Sequence, residues 1–591
     1  MSQKRINKLE LTWIGKDDER PAIEPRILIE DPKLGYGKVE TGTLPNGKPW
    51  PGNMLIHGDN LLALRAIEEN FTGAVKCIYI DPPYNTGNAF EHYDDNLEHS
   101  IWLNLMYQRI KILYSLISDD GVMCLHLDDS EVHYAKVICD EIFGRLNCVA
   151  TIAIRSSTPS GVKTAHRTKK IIKQKDLMLV YKKSDALQIY PQYVKRESWD
   201  SHYSLFITES NGKFILRNLV DVLVDLHIFD EGISIKSLNL KDKHFRDFYI
   251  ENRDRICRLQ SHKNEDAKVY SNAHPNEVIS YISKDGNKVD QYYNGQVITR
   301  LSGGFQTVVW NREVSEDLGM LLCDFWEDID FQNTQNEGGV EFPTSKKPEA
   351  LLYRVLSLFT KEGDIVLDSF LGSGTTAAVA HKMGRRWIGV ELGDHAYTHC
   401  AVRMKKVIDG EQGGISKSVS WQGGGGFKFY ELAPSLLNHD KHGNLVINKE
   451  YNADMLAAAM AKQEGYTYQP STELYWKQGY GSEHDYIFTT TQFLTVEALE
   501  ALHDQMGDNE SLLICCTSFQ PECRSRFSDI TLKKIPQILL GRCEFDRNDY
   551  SLNIVSPPAI NDDSLDEGNG ANDSHSDSTN ILNTEPPSLF D

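Results

Sequence analysis

The chain has 591 residues, enough for roughly three or four domains and a large hydrophobic core. Its formal charge is −21, and its eleven cysteines include no C-x-x-C pair, which predicts a cytoplasmic protein with reduced thiols and argues against a disulfide framework or a zinc site. No apolar run approaches the length of a membrane-spanning helix, so we expect no association with a membrane.

The charge is unevenly distributed along the chain. Residues 557–591 carry eight acidic side chains and no Lys or Arg, and we expect an acidic, disordered tail over 556–591. Residues 155–183 instead contain nine basic side chains and one acidic side chain. Such a basic run is typical of a nucleic-acid contact, and a solvated protein surface is the plainer alternative.

The first part of the chain alternates strand and helix patterns, which is typical of a doubly wound α/β sheet. After an N-terminal arm (1–52), strands are predicted at 54–57, 75–80, 122–127 and 148–154, with helices at 61–69, 102–117 and 130–143. Asp59 follows the first of these strands. Its carboxylate could accept a hydrogen bond from a bound adenine or cap the next helix, and capping is the commoner role.

The most informative stretch is Asp81-Pro82-Pro83-Tyr84, directly after the buried strand pattern. Open α/β sheets bind ligands at the carboxyl ends of their strands. The two prolines stiffen the loop and leave its carbonyl oxygens as acceptors, and Asp81 adds a carboxylate. Tyr84 adds an aromatic face on which a base can stack. This combination predicts a site that holds the amino group of an adenine; the alternative is a strand that ends in a turn, with Asp81 as a helix cap.

Residues 158–315 interrupt the alternation and predict an inserted lobe, because the segment is too long for an unstructured loop. The lobe holds most of the basic run, a strand at 177–181 and a helical pattern over 245–259. Beyond it, the alternation resumes with a helix at 348–359, a strand at 364–367, a helix that ends at Met383 and a strand at 387–390.

A second candidate site follows the strand at 364–367. Gly372 and Gly374 permit a tight turn and a close approach to a ligand, and Glu391 ends the next strand, where it is placed to bind ribose hydroxyls. These residues predict a nucleoside pocket. The spacing Gly372-x-Gly374-x-x-Ala377 also fits a dinucleotide, although the carboxylate of Asp368 would repel a pyrophosphate, and no phosphate-binding Gly-Lys-Ser/Thr is present.

The C-terminal part of the chain offers fewer signals. Its glycine-rich segment 411–426 predicts a linker. Residues 427–555 have a globular composition without a chemical motif, so we expect an interaction module there.

These motifs together resemble a known family. Residues 9–410 resemble the β-class of amino-methylating DNA methyltransferases, in which the DPPY loop precedes the FxGxG cofactor loop, and most closely the modification subunits of type III restriction-modification systems. The matching stretches are Leu9–Gly15, Asp81–Gly87, Tyr93–Asn96, Trp102-Leu103, Asp324–Ile329, Lys346–Glu349 and Asp368–Thr376.

The resemblance implies an α/β, Rossmann-like sheet assembled from two sequence halves, 53–157 and 316–410, with 158–315 as the target-recognition lobe and an α+β module at the C-terminus. It implies S-adenosylmethionine as the cofactor, with Lys347 and Pro348 near its methionine end and Asp59 near its adenine ring. The candidate cofactor-binding residues are Asp59, Lys347, Pro348, Asp368, Phe370, Gly372, Gly374, Thr375 and Glu391.

The implied reaction is methylation of N6 of an adenine flipped out of double-stranded DNA, without a metal. The catalytic candidates are Asp81, Pro82, Pro83 and Tyr84, and the candidates for phosphate contacts are Lys163, Arg167, Lys169, Lys170 and Lys173. The family further implies a homodimer and a restriction partner with helicase and nuclease activities, bound partly through the C-terminal region.

Several alternatives stay open. Within the same chemistry they are a DNA methyltransferase without a restriction partner, methylation of cytosine N4, and methylation of protein glutamine, which Asp81 in place of Asn disfavours. A nicotinamide-dependent oxidoreductase leaves the DPPY loop and the insertion unexplained. A catalytically idle DNA-binding subunit gives no reason for two intact loops.

Overall fold

The computed structural model describes residues 10–16, 22–83, 95–158, 168, 171–261, 264–282, 289–310, 313–332, 334, 337–342 and 346–547. Its largest sheet has 11 strands. Ten of them follow the order Leu28–Glu30, Gly426–Leu432, Asn53–His57, Arg386–Glu391, Ile365–Asp368, Val75–Ile80, Ile117–Leu127, Lys175–Lys182, Cys148–Arg155 and Phe325–Trp326, and Tyr36–Gly37 pairs with Gly426–Leu432.

Most of this sheet is parallel. The run of strands from Gly426–Leu432 to Ile117–Leu127 is parallel throughout, and Lys175–Lys182 is antiparallel to both of its neighbours. The strand Val75–Ile80, which precedes Asp81, pairs directly with Ile365–Asp368. The two sequence halves therefore form one sheet, and the α/β class predicted from the sequence is confirmed.

Helices cover both faces of the sheet. One face packs on Asn60–Phe71, Asp95–Leu116 and Val132–Cys139, and the other face packs on Glu349–Phe359, Thr375–Lys382 and Val402–Ile408. All six residues of Val75–Ile80 are buried, because the strand lies between two helical layers. Alternate side chains of this strand enter the two cores, and Tyr79 points to the same face as the second set of helices.

The inserted segment forms a second group of sheets. A six-stranded antiparallel sheet contains Leu205–Ser210, Lys213–Asn218, Ile256–Gln260, Val278–Ile282, Val289–Tyr293 and Gln296–Arg300, and a small closed barrel contains Tyr193–Lys195, Phe305–Trp310 and Glu313–Leu321. Its helices are Leu219–Asp225, Lys243–Glu251 and Glu265–Asn272. The helical pattern over 245–259 is thus partly wrong, because the helix ends at Glu251 and Ile256–Gln260 pairs as a strand.

The C-terminal region contains a five-stranded sheet with Thr467–Tyr468, Gly479–Ser482, Asp485–Leu494, Ser511–Phe519 and Ile530–Lys534. Its helices are Ala453–Glu464 and Val496–His503. Two hairpins complete the described strands: Gly42–Thr43 with Pro49–Trp50, and Leu437–His439 with Leu445–Ile447.

Segments predicted to lie outside the two sheet-forming halves also contribute strands to the central sheet. The arm contributes Leu28–Glu30, the predicted recognition lobe contributes Lys175–Lys182, and Gly426–Leu432 joins the end of the predicted linker to the start of the C-terminal module. Each of these segments pairs with a strand that is distant in sequence, which local patterns do not reveal. The division into domains stays a prediction, and the acidic tail lies outside the described residues.

Candidate active site

A cleft of about 640 Å³ opens at the carboxyl ends of Val75–Ile80 and Ile365–Asp368. Residues from both predicted sites line it together: Asp59, Asp81, Pro82, Pro83, Lys347, Asp368, Phe370, Gly372, Thr375 and Glu391. Pro348 and Gly374 support the loops that border the cleft, the first as the residue before helix Glu349–Phe359 and the second as the cap of helix Thr375–Lys382. Tyr84 lies outside the described residues.

Two side-chain contacts fix the loop that begins at Asp81. The carboxylate of Asp81 accepts a charged hydrogen bond from Lys347, with 3.0 Å between Oδ2 and Nζ. The indole N–H of Trp102 donates to the carbonyl oxygen of Pro83 over 2.9 Å. One of the backbone acceptors predicted for the loop therefore binds within the protein, and Asp81 faces a cation from the other sequence half.

Asp59 combines the two roles considered for it. Its Oδ1 accepts a hydrogen bond from the backbone N–H of Leu62 and caps helix Asn60–Phe71. Its Oδ2 accepts from Arg109 Nη2 over 3.0 Å, and both residues line the cleft. Arg109 was missed in the sequence, although a single arginine among the apolar positions of a helix is a usable signal for a buried partner.

Two carboxylates shape the second loop. Glu391 accepts from the backbone N–H of Gly372 over 2.7 Å, and Asp368 accepts from the N–H of Phe370 over 2.9 Å and from the Thr376 hydroxyl over 2.6 Å. Gly374 adopts a left-handed conformation with φ of 79°, which side chains rarely tolerate. The backbone of the loop is therefore fixed before any ligand binds.

A buried ion network supports this loop from behind. Arg403 donates to the hydroxyl of Thr375 over 2.8 Å and to Glu349 over 2.7 Å, and Lys382 donates to the second oxygen of Glu349 over 2.9 Å. The side chains of Glu349, Lys382 and Arg403 are 0% exposed. Sequence patterns did not reveal this network, because charged residues on helices usually lie at the surface.

A second group of buried polar side chains, Tyr79, His126 and Asp176, lies beneath Asp81. The Tyr79 hydroxyl is 2.8 Å from His126 Nδ1, and His126 Nε2 is 3.5 Å from Asp176. Burial lowers the pKa of His126, the nearby ammonium of Lys347 lowers it further, and Asp176 opposes the change. His126 is therefore neutral at pH 7, and the phenol of Tyr79 donates to its Nδ1. Sequence patterns did not identify this group.

Burial raises the pKa of Asp368 to about 7. Hydrogen bonds from Thr376 and Phe370 oppose the rise, and the nearby carboxylates of Asp81 and Glu391 add to it. The carboxylate of Asp81, at the end of the adjacent strand, thus disfavours ionisation of Asp368. Asp368 carries a proton in a large fraction of molecules at neutral pH.

Asp368 makes stability depend on pH. Its pKa in the folded state is about 7, whereas the pKa of an aspartate in an unfolded chain is about 3.9. The folded state binds this proton more tightly, so the contribution is full below about pH 4 and is lost as the pH rises to about 7. Urea unfolding of the wild type and Asp368→Asn should show the wild type losing up to about 1.4 kcal/mol per pH unit relative to the variant in that range. A difference that does not change with pH would contradict this assignment.

The residues predicted to hold DNA phosphates are only partly described. Lys173 forms ion pairs with Asp128 and Asp129, each over 2.9 Å, so its ammonium already binds two carboxylates. Lys163, Arg167, Lys169 and Lys170 lie outside the described residues. A different pocket of about 290 Å³ in the inserted lobe is lined by Lys195, Arg196, Glu197, Leu240, Lys241 and Arg246. Its cations are dispersed along the sequence, which is why the basic-run criterion missed them.

Within the described ranges, no helix has the length and apolar character needed to cross a membrane. In the same part of the chain, we find no group of three or more His, Cys, Asp or Glu side chains arranged to bind a metal ion.

A family model described as DNA methylase matches residues 75–402. A probable Mod subunit of the type III restriction-modification enzyme HindVI from Haemophilus influenzae is 36% identical over 436 residues, which cover 68% of this chain and 56% of that protein. The EcoPI Mod subunit from Escherichia phage P1 is 26% identical over 63% of this chain and 60% of its own length. The EcoP15I Mod subunit from Escherichia coli is 24% identical over 76% and 74%, respectively. The chain thus spans little more than half the length of the first two relatives.

Proposed function

The chain belongs to the DNA methylase family, and from this premise we propose that it is a site-specific DNA methyltransferase that transfers a methyl group from S-adenosylmethionine to N6 of adenine. The observation that carries the proposal is the direct pairing of Val75–Ile80 with Ile365–Asp368. This pairing brings the Asp81 loop and the glycine-containing loop to one cleft. A group held at Asp81 therefore lies beside a nucleoside held by the second loop.

The cleft suits S-adenosylmethionine in size and charge. Its volume of about 640 Å³ lies within the usual range of ligand pockets, about 300–1,000 Å³. The carboxylates of Asp59, Asp81 and Glu391, together with the ionised fraction of Asp368, outnumber the two cations Arg109 and Lys347 in its lining. This balance favours a ligand with a positively charged sulfonium. The bound cofactor supplies a methyl group on an electron-poor sulfur.

Each cofactor contact has a physical reason. Glu391 would accept hydrogen bonds from the ribose hydroxyls, because each carboxylate oxygen can accept more than the one backbone bond it has here. Asp59 would lie near the adenine ring. Phe370 and Thr375 would border the nucleoside, with Gly372 and Gly374 allowing close approach of the backbone. Lys347 and Pro348 would lie near the methionine end.

We assign the target amine to Asp81 and the carbonyl oxygen of Pro82. Their acceptors would bind its two hydrogens and favour a pyramidal nitrogen, whose lone pair is otherwise delocalised into the ring. Tyr84 would stack on the flipped base. Orientation of the two reacting groups adds a further large contribution, up to about 7–11 kcal/mol in well-aligned systems.

The inserted lobe would read the DNA sequence and hold the duplex. We keep the basic run of 155–183 as a candidate contact and add Lys241 from the pocket of the inserted lobe. The other cations of that pocket already form ion pairs, Lys195 and Arg246 with Asp317 and Arg196 with Asp200. The ion pairs of Lys173 favour a structural role for that residue.

Similarity to three Mod subunits supports a role as the modification and recognition subunit of a type III restriction-modification system. In that role the chain would act as a homodimer, with a restriction subunit that supplies the helicase and nuclease activities. The C-terminal region is our candidate for contacting that partner.

The experiment that tests the proposal identifies the methylated base. The purified protein is incubated with methyl-labelled S-adenosylmethionine and unmodified DNA, which is then digested to nucleosides. We expect the label in N6-methyldeoxyadenosine, because Asp81 rather than Ser precedes Pro-Pro-Tyr. Label in N4-methyldeoxycytidine would retain the class of enzyme and correct the base. DNA binding without any labelled nucleoside would contradict the proposal.

A further inference from the structure

The ion pair between Asp81 and Lys347 joins the two loops of the cleft. Its side chains are 18% and 11% exposed, and both line the cleft. Lys347 is fixed from behind, because its carbonyl oxygen accepts from the Thr375 hydroxyl over 3.2 Å and the next helix begins two residues later at Glu349. The ammonium therefore reaches Asp81 from a rigid support in the other sequence half.

This geometry places two donors in competition for one acceptor. The amine of a target base needs the carboxylate of Asp81, and the ammonium of Lys347 donates to that same carboxylate over 3.0 Å. A hydrogen bond between two charged groups is stronger than one from a neutral amine. A base amine that approaches Oδ2 of Asp81 therefore competes with the ammonium for that oxygen, and its hydrogen bond is strongest when the ammonium moves away.

We propose that Lys347 holds the amine position of Asp81 in the absence of a target base and leaves it when the base enters. Lys347 is then a positioning residue that acts through Asp81. This inference rests on the proposed function, because it requires a base amine at Asp81. The cleft offers the displaced ammonium other anionic groups, since Asp59 and Glu391 line it as well.

The exchange has a consequence for base selection. When the amine enters, it gains a hydrogen bond to Asp81 and the protein loses the bond from Lys347. The advantage of an amino-bearing base over a base without the amine is then smaller than the hydrogen bond alone would give. Without the lysine, the amine no longer competes, and its full contribution should become measurable.

The test compares two DNA duplexes that carry the recognition sequence, mapped first from methylation by the wild type. One duplex has adenine at the target and the other has unsubstituted purine, which lacks the 6-amino group. Equilibrium binding is measured with S-adenosylhomocysteine, so that no methyl transfer occurs. In Lys347→Met, we expect the adenine-to-purine affinity ratio to rise by at least about ten-fold over the wild type, the lower end of a hydrogen bond to a charged group.

Two control variants separate this effect from a general loss of structure around the cleft. Lys347→Arg keeps a cation at Asp81 and should retain the wild-type ratio. Lys346→Met removes the neighbouring lysine, whose ammonium binds the carbonyl oxygens of Glu337 and Val340, and it should also leave the ratio unchanged. Lys347→Gln repeats the test if the methionine variant is unstable.

The outcomes are distinct. An unchanged ratio in a folded Lys347→Met or Lys347→Gln protein overturns the inference, as does an equal rise in Lys346→Met. If the wild type methylates no DNA, the proposed function itself fails and the inference falls with it. A wild type that methylates DNA, with a ratio that rises only when the cation at position 347 is lost, supports both.

Discussion

Replacing Asp81 with alanine is expected to lower the rate of DNA methylation by about 100- to 1,000-fold while DNA binding persists. Asp81 directly follows the strand Val75–Ile80, and its carboxylate lines the cleft beside Lys347. The amine becomes positively charged as the methyl group transfers, so an anion beside it stabilises the transition state more than the bound base. Single-turnover methylation of DNA, measured together with equilibrium binding, separates the chemical step from binding.

A graded series sharpens this prediction. Asp81→Asn keeps an oxygen acceptor and loses the charge, so we expect its rate to lie between those of the wild type and the alanine variant. Asp185→Ala serves as the matched control, because this aspartate is 96% exposed and pairs only with Lys182 among the contacts described for it. If Asp81→Ala keeps more than about a tenth of the wild-type rate, Asp81 does not stabilise the transition state as an anion.

The positions of Asp81, Asp368 and Glu391 could be predicted because each follows a buried strand pattern directly. A parallel sheet places the carboxyl ends of its strands at one edge, so three separate local signals converged on one cleft. The conformation of Gly374 was predictable for a related reason, since a glycine at that point of a strand–turn–helix unit permits the turn. Local rules suffice where the backbone alone sets the position.

Side-chain partners could not be predicted in the same way. The resemblance implied that Lys347 lies near the methionine end of the cofactor, and the structure adds that its ammonium binds Asp81, a pairing that no local pattern indicated. A motif specifies the position of a residue in the chain, but a lysine side chain has four rotatable bonds and can reach several acceptors. The pairing of Arg109 with Asp59 and of Arg403 with Glu349 likewise joins residues about 50 positions apart.

Long-range strand pairing was the other weakness of sequence patterns. Gly426–Leu432 follows a glycine-rich stretch that reads as a linker, yet it forms a parallel pair with Asn53–His57. Lys175–Lys182 belongs by its charge to the basic run, yet it pairs antiparallel with Ile117–Leu127. Composition does not reveal long-range backbone pairing, which assigns both segments to the sheet.

Replacing Glu349 with glutamine is expected to destabilise the central sheet by about 3–5 kcal/mol. Glu349 accepts hydrogen bonds from Lys382 and Arg403, and all three side chains are fully buried. Glutamine nearly preserves the shape of glutamate, so no cavity forms and the loss comes from charge. The buried cations Lys382 and Arg403 then lose the carboxylate that they share. Among the contacts described for Lys382, Glu411 is the carboxylate that remains. Native-state hydrogen exchange of peptides from Ile365–Asp368 and Arg386–Glu391 measures the free energy of opening.

The exposed pair Glu500–Arg526 provides the control for this charge effect. Its side chains are 40% and 51% exposed, so Glu500→Gln should cost less than about 1 kcal/mol in the exchange of Ser511–Phe519. Glu349→Gln should also weaken binding of S-adenosylhomocysteine, because Arg403 aligns the hydroxyl of Thr375 in the cofactor loop. A loss of opening free energy below about 1 kcal/mol would mean that water reaches the network, since only solvated ion pairs contribute so little.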